Sequence, residues 1–149
     1  MEQFINFLAE EWPLTLALVF IIILLGRSFV EPMITGVKNI KAQDAVRMMN
    51  DDDTLVLDVR LEKEYKEGHI LGSVHIPLGA LESRIRELDQ YKGNTVVIYC
   101  QTGMRSKQAG NTLKKHGFEN MFNIDGGLGA WAAANLPVNK TEKRKNKKS

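Results

Sequence analysis

Cysteine is nearly absent from this 149-residue sequence, since Cys100 is the only one. One cysteine excludes an intramolecular disulfide framework and any zinc site built from several cysteines. A strong charge of one sign is also lacking, because 20 basic and 18 acidic side chains leave a net charge of +2. Apolar residues, at 44%, are too many for a wholly disordered chain. The length suits one compact domain with room for an anchor or a tail.

The near-neutral charge is a balance between three unlike parts of the chain. The first 30 residues carry three acidic and one basic side chain, whereas the last 11 carry one acidic and six basic. Between them, 13 basic side chains offset 14 acidic ones. We predict an acidic extracytoplasmic leader (1–11), an apolar span (12–30), a linker with a first strand (31–39), a folded domain (40–137) and a basic tail (138–149).

The apolar span contains the longest uncharged stretch of the sequence. Thr15 is the only polar residue in Leu14–Leu25, and no charge lies between Trp12 and Gly26. A cleaved signal peptide would need a basic leader and a small-residue cleavage site, and a buried core helix would show one polar face. Since roughly 20 residues cross a bilayer, we predict one transmembrane helix over 12–30 that contacts lipid.

The flanks of the span predict its orientation. No Lys or Arg precedes it, whereas Arg27, Lys38, Lys41 and Arg47 follow it. Because basic residues stay on the cytoplasmic side, we expect a single-pass protein of a bacterial inner membrane with its domain in the cytoplasm. A reducing compartment also keeps a lone thiol free.

The tail, residues 139–149, contains no apolar side chain and should be disordered. Two interpretations stay open: a solvated tail, or contact with anionic lipid. Nucleic acid is not an expected partner, because the domain lacks a basic excess and an aromatic platform.

Short apolar runs alternate with helical patterns through the middle of the chain. Runs rich in β-branched residues and without strict alternation are typical of a parallel sheet covered on both faces. We predict strands at Val37–Ile40, Thr54–Val59, Ser73–Ile76, Thr95–Tyr99 and Met121–Ile124, and helices at Ala42–Met49, Leu81–Leu88, Met104–His116 and Leu128–Ala134. This order predicts an open α/β fold whose ligands bind beyond the carboxyl ends of the strands.

Cys100 lies between a predicted strand and a predicted helix. A thiol beside a helix N-terminus and unpaired N–H groups should have a lowered pKa and act as a nucleophile. Gly103 allows the loop amides to point inward, and Arg105 adds a positive charge. The alternative for a lone cysteine is an inert buried side chain, but this context favours a reactive thiol. The predicted binding loop comprises Gln101, Thr102, Gly103, Met104, Arg105 and Ser106.

Supporting roles are expected for charged and imidazole side chains at other strand ends. Asp58 and Arg60 should fix the end of a strand by ion pairing, with a supporting role in the site. His69 and His75 are expected to be structural, and with His116 they lack the spacing of metal ligands. We therefore predict neither a metal nor a cofactor.

Four motifs, in this order, resemble the rhodanese family. They are Asp58-Val59-Arg60, Glu67-Gly68-His69-Ile70 leading into Ser73–Pro77, Cys100-Gln101-Thr102-Gly103-Met104-Arg105-Ser106, and Asp125-Gly126-Gly127 with Trp131. The resemblance implies a single-domain, membrane-anchored member of that family, with about five parallel strands flanked by helices and sulfurtransferase chemistry at Cys100. Related phosphatases and arsenate reductases place five residues between Cys and Arg, whereas this loop has four, which suits a single sulfur atom.

The implied reaction moves a sulfane sulfur from thiosulfate or a similar donor to a thiol or cyanide through a Cys100 persulfide. The acceptor must come from outside the chain, because no second cysteine is available. The loop lacks the additional Lys or Arg of some thiosulfate-using loops, so the donor stays open. The alternative is a rhodanese-fold binding or regulatory module with little or no such activity. The sequence predicts no oligomeric state.

Overall fold

This computed structural model describes residues 12–140, and it forms two compact units that divide between Ile34 and Thr35. The predicted leader (1–11) and residues 141–149 of the predicted tail lie outside the described residues. Helix α1, Trp12–Thr35, belongs to the first unit up to Ile34, and its side chains from 12 to 26 are exposed apart from Thr15. Within the described residues, no helix reaches the length and apolar content that a membrane span requires.

Helix α1 continues through residues 31–35, which the sequence predicted as a linker. Gly36, with φ +63°, follows its last residue. Glycine reaches that conformation without strain and is the common residue just beyond a helix end. The end of the helix is therefore set by Gly36.

The second unit is built on five parallel strands in the order β1-β5-β4-β2-β3. The strands are β1 (Val37–Ile40), β2 (Leu55–Asp58), β3 (Val74–His75), β4 (Val96–Tyr99) and β5 (Met121–Ile124). The helices are α2 (Ala42–Met49), α3 (Glu62–Glu67), α4 (Leu78–Arg84), α5 (Met104–Lys115) and α6 (Gly127–Ala133), with a 3₁₀ segment at Ile85–Tyr91. The predicted α/β fold, with five parallel strands flanked by helices, is confirmed.

The central strands explain why the sheet is covered on both faces. Every residue of β2 and β4 is buried, and apolar clusters lie on the two sides of the sheet. Leu57 and Ile98 belong to one cluster, whereas Val56 and Val97 belong to the other. Strand β4 occupies the middle of the sheet, and the chain leaves it directly into Cys100.

Two helical segments differ from the sequence prediction. Helix α3 was not predicted, because its six residues, EKEYKE, show no apolar stripe. Its first turn is held by the Leu61 N–H, which donates to Glu64 Oε2 at 3.0 Å. The predicted helix over Leu81–Leu88 divides between α4 and the 3₁₀ segment, although Leu81, Ile85 and Leu88 are all buried as the spacing indicated.

Candidate functional site

The cysteine loop lies at the carboxyl end of the central strand. Cys100 follows β4, and Gly103, with φ +94°, is the N-cap residue that precedes α5. A Cβ on Gly103 would stand 3.2 Å from Ile124 O and 3.3 Å from Asn123 Nδ2, so a larger residue would be both strained and crowded. The turn between the cysteine loop and α5 therefore requires glycine at position 103.

The sulfur of Cys100 is buried and surrounded by hydrogen-bond donors. Its Sγ accepts the Gly103 N–H at 3.0 Å and faces the Ser106 hydroxyl at 3.5 Å. Burial raises the pKa of the Cys100 thiol, but hydrogen bonds from the Ser106 hydroxyl and from the N–H groups of Ser106, Thr102 and Gly103 outweigh it. The net pKa lies below the usual cysteine value, so the site favours a thiolate.

The start of α6 supports the loop from the other side. The N–H of Leu128 donates to Cys100 O at 2.8 Å, and the N–H of Gly129 donates to Gln101 O at 3.2 Å. Gly127, with φ +56°, packs so closely that an added Cβ would collide with the backbone of Cys100 and Gln101. Gly127, part of the Asp125-Gly126-Gly127 motif, therefore makes the close contact that fixes the cysteine loop.

The positive charge predicted for the loop is already paired. Arg105 donates from Nη1 to Glu64 Oε2 at 2.8 Å and from Nη2 to Glu64 Oε1 at 2.7 Å. The Arg105 guanidinium lowers the pKa of Glu64 to about 2, so this carboxylate stays charged near neutral pH. Arg105 and Glu64 therefore form a neutral unit beside the loop, rather than a free cation.

Asp58 and Arg60 form the ion pair that the sequence predicted, and it is buried. Arg60 Nη2 lies 2.7 Å from Asp58 Oδ2, and the side chains are 2% and 0% exposed. Arg60 also donates to Gly68 O at 2.6 Å and approaches Gln101 Oε1 at 3.5 Å. The pair joins the end of β2 to the end of α3 and to the cysteine loop.

The remaining predicted residues divide into exposed loop positions and structural histidines. Gln101, Thr102 and Met104 are exposed at the mouth of the loop. The rings of His69 and His75 stack on Tyr65, with ring centroids 3.8 and 4.4 Å apart from the tyrosine centroid. The histidine nitrogens also contact backbone carbonyls, at Tyr65 and Arg60 respectively. These contacts are those of structural side chains.

A cavity of about 330 Å³ adjoins the cysteine loop. Its lining includes Arg60, Glu64, Gln101, Leu128, Gly129 and Lys140. Another cavity, of about 360 Å³, is lined by Glu62, Tyr65, Lys66, His75, Pro77 and Arg84 and includes no residue of the loop. Of these two cavities, the one beside Gln101 is placed to hold a small molecule near Cys100.

Sequence reasoning missed two residues of this region. Glu64 was not singled out, because its partner Arg105 lies 41 positions away and only the fold brings them together. Asn123 was read only as part of a strand, although a buried amide in an otherwise apolar strand is itself a signal. Its Oδ1 accepts the Ser106 hydroxyl at 2.5 Å.

The comparisons with known proteins agree with this geometry. The family model of the rhodanese-like domain matches residues 41–134. The chain is 27% identical over 139 residues to Escherichia coli (strain K12) YibN, described as uncharacterized, which covers 93% of this chain and 97% of YibN. It is 35% identical over 92 residues to a sulfurtransferase of Allochromatium vinosum, covering 62% of this chain and 84% of that protein.

A solved structure also identifies the fold as that of a rhodanese-like domain. The rhodanese-related protein of Thermoplasma volcanium superposes with a TM-score of 0.62 and 28% identity, covering 70% of this chain and 99% of that one. Residues 41–134, which the family model matches, contain every element from α2 to α6 and the cysteine loop. With the sheet order, the loop after its central strand and the family match in agreement, the chain belongs to the rhodanese-like domain family.

Proposed function

We propose that this chain is a sulfurtransferase of the rhodanese type that carries sulfur as a persulfide on Cys100. The Cys100 thiolate attacks the outer sulfur of a sulfane donor, so a new S–S bond forms while the donor's own bond to that sulfur breaks. With thiosulfate, sulfite leaves with the bonding electron pair. A thiolate or cyanide acceptor then attacks the outer sulfur, and Cys100 leaves again as a thiolate.

The observation that carries the proposal is the arrangement of donors around the buried Cys100 sulfur. The Gly103 N–H and the lowered pKa favour a negatively charged sulfur. The N–H groups of Thr102, Gly103 and Ser106 would also stabilise a persulfide anion in a site that excludes water. The sulfurtransferase of Allochromatium vinosum, 35% identical over 92 residues, supports this assignment at the level of the family.

The pairing of both arginines beside the loop favours a donor other than thiosulfate, although Lys140 also lines the cavity. Arg105 is bonded to Glu64, and Arg60 is bonded to Asp58, so both arginines are already neutralised. A dianion such as thiosulfate would find no free arginine at this loop. The reacting end of a low-molecular-weight or protein persulfide carries at most one negative charge, which suits the site better. The cavity beside Gln101 is the proposed place for the donor and then the acceptor.

The test is to incubate the full-length chain separately with thiosulfate and with a glutathione persulfide, and to measure its intact mass. We expect the mass of one added sulfur atom, formed faster with the persulfide. Cys100→Ser should abolish the addition, whereas Leu71→Ala, at an exposed position outside the loop, should retain it. If neither donor gives the adduct, the result would instead support a binding or regulatory module.

We also propose that residues 12–30 anchor the chain in a bacterial inner membrane, with the domain facing the cytoplasm. The uncharged sequence of Leu14–Leu25 and the exposed apolar side chains of α1 support an environment other than water. The similarity to YibN covers 93% of this chain and so extends beyond the domain. Anionic lipid is the proposed contact of residues 139–149.

Cell fractionation and reporter fusions at each end test this location. We expect the full-length chain in the membrane fraction, an active cytoplasmic reporter at the C-terminus and an inactive one at the N-terminus. Recovery in the soluble fraction would contradict the anchor, and a cytoplasmic N-terminus would contradict the orientation. Replacing the six basic residues of the tail by Gln should weaken binding of the chain to vesicles of anionic lipid.

A further inference from the structure

A chain of buried polar side chains runs from the reacting sulfur to the edge of the sheet. Cys100 Sγ faces the Ser106 hydroxyl at 3.5 Å, and the same hydroxyl lies 2.5 Å from Asn123 Oδ1. Asn123 Nδ2 in turn donates to Asn39 Oδ1 at 2.9 Å. Cys100, Ser106 and Asn123 are all fully buried, so water does not compete for these contacts.

The Ser106 hydroxyl has one hydrogen and two acceptors within reach. A serine donates a single hydrogen bond, so Ser106 cannot serve the Asn123 oxygen and a charged Cys100 sulfur at once. When Cys100 is a thiol, its S–H can donate to Ser106 Oγ, and the Ser106 hydrogen stays on Asn123. When Cys100 is a thiolate, Ser106 has to turn toward the sulfur, which deprives the buried Asn123 oxygen of that donor.

We propose that Asn123 is a positioning residue for the reacting sulfur, which it controls by competing with Cys100 for the hydroxyl hydrogen of Ser106. The inference rests on the proposed role of Cys100 as the sulfur carrier. Asn123 keeps the thiolate less populated than the other donors alone would make it, and it returns Ser106 to the same place after each transfer. Because the departing group of the second transfer is the Cys100 thiolate, Asn123 also limits how readily that sulfur leaves.

The charged groups around Cys100 are separate from this competition. Arg105 on α5 interacts with the sulfur and is bonded to Glu64 on α3. Asp58 and Arg60, which follow β2, are bonded to each other. Substitutions at Asn123 leave all four charges in place, so a change in the ionisation of Cys100 would come from Ser106.

The experiment measures the thiolate of the full-length chain by its ultraviolet absorbance as a function of pH, with no sulfur donor present. Because the chain has a single cysteine, subtracting the absorbance of the Cys100→Ser chain leaves a signal that is specific for Cys100. Asn123→Leu, which keeps the size of the side chain, should raise the thiolate fraction below the midpoint of the titration by about 2- to 10-fold, the value of one hydrogen bond. Ser106→Ala should lower it, because the thiolate loses a donor.

The double variant decides whether Asn123 acts through Ser106. In the Ser106→Ala background, Asn123→Leu should leave the titration unchanged. Asn39→Ala, which removes the other hydrogen bond of the Asn123 amide, should match the unmodified chain within about 2-fold. A lower thiolate fraction in Asn123→Leu, an equal effect of Asn39→Ala, or an undiminished effect without Ser106 would each overturn the proposal. Loss of the sulfur adduct would contradict the proposed function but leave this titration readable.

Discussion

Two ion pairs flank the cysteine loop, and they differ mainly in burial. Asp58 and Arg60 are 0% and 2% exposed, whereas Glu64 and Arg105 are 27% and 34% exposed. Both contain an arginine held by more than one hydrogen bond, so the chemistry of the contacts is alike. Water reaches only the second pair, and the two pairs should therefore respond differently when one partner is removed.

This difference in burial gives the two pairs different roles: the buried pair stabilises the fold, and the exposed pair adjusts the charge of the site. A buried pair that loses one partner leaves an uncompensated charge in the interior, which is strongly destabilising. A half-exposed pair that loses one partner leaves a charge that water can solvate, at little cost. Arg60 thus supports the structure of the loop, whereas Glu64 sets the charge at its exposed side.

The largest effect is expected from Asp58→Asn. The substitution leaves the Arg60 guanidinium buried without its carboxylate, and we expect it to lower the free energy of unfolding by about 3–5 kcal/mol. Urea unfolding of the full-length chain measures this. Asp44→Asn is the matched control, since Asp44 pairs with Arg47 in an exposed position and should cost less than about 1 kcal/mol. Equal costs for the two variants would remove the distinction between buried and exposed pairs.

The sequence predicts one of these pairs and not the other for a physical reason. Asp58 and Arg60 lie two positions apart at a strand end, where their types and spacing already indicate pairing. Glu64 and Arg105 lie on different helices, and α3 has no apolar periodicity from which the helix could be predicted. The strands were predicted almost to the residue because β-branched apolar runs carry a local signal. Asn123 shows the opposite case, since its partner Ser106 becomes visible only once β5 and α5 pack together.

The second prediction concerns the charge at the mouth. Glu64→Gln frees Arg105, so the proposed reaction with thiosulfate should gain about 5-fold in kcat/KM at low salt, and the gain should fade as salt rises. Stability should fall by less than about 1 kcal/mol, in contrast to Asp58→Asn. Adduct formation followed by mass measures the rate.

Glu67→Gln controls for a general change of charge in the cavity. It removes a carboxylate that lines the same cavity but leaves the pair between Glu64 and Arg105 intact. We expect at most about a 2-fold change with this variant. An equal gain for Glu67→Gln would mean that overall charge, and not the release of Arg105, governs the use of thiosulfate.

The smallest effect is the pH dependence of the exposed pair. The pKa of Glu64 is about 2 in the folded chain against 4.5 as its ordinary value, because Arg105 donates to the carboxylate. A carboxylate whose pKa is lowered by folding stabilises the fold above its unfolded pKa and loses that contribution as the pH falls through the folded one. The stability difference between the unmodified chain and Glu64→Gln, about 1 kcal/mol or less, should therefore stay constant above pH 4.5 and shrink toward pH 2. Urea unfolding of both chains across this range measures the difference, and a difference that grows as the pH falls would show that Arg105 does not hold Glu64 in its charged form.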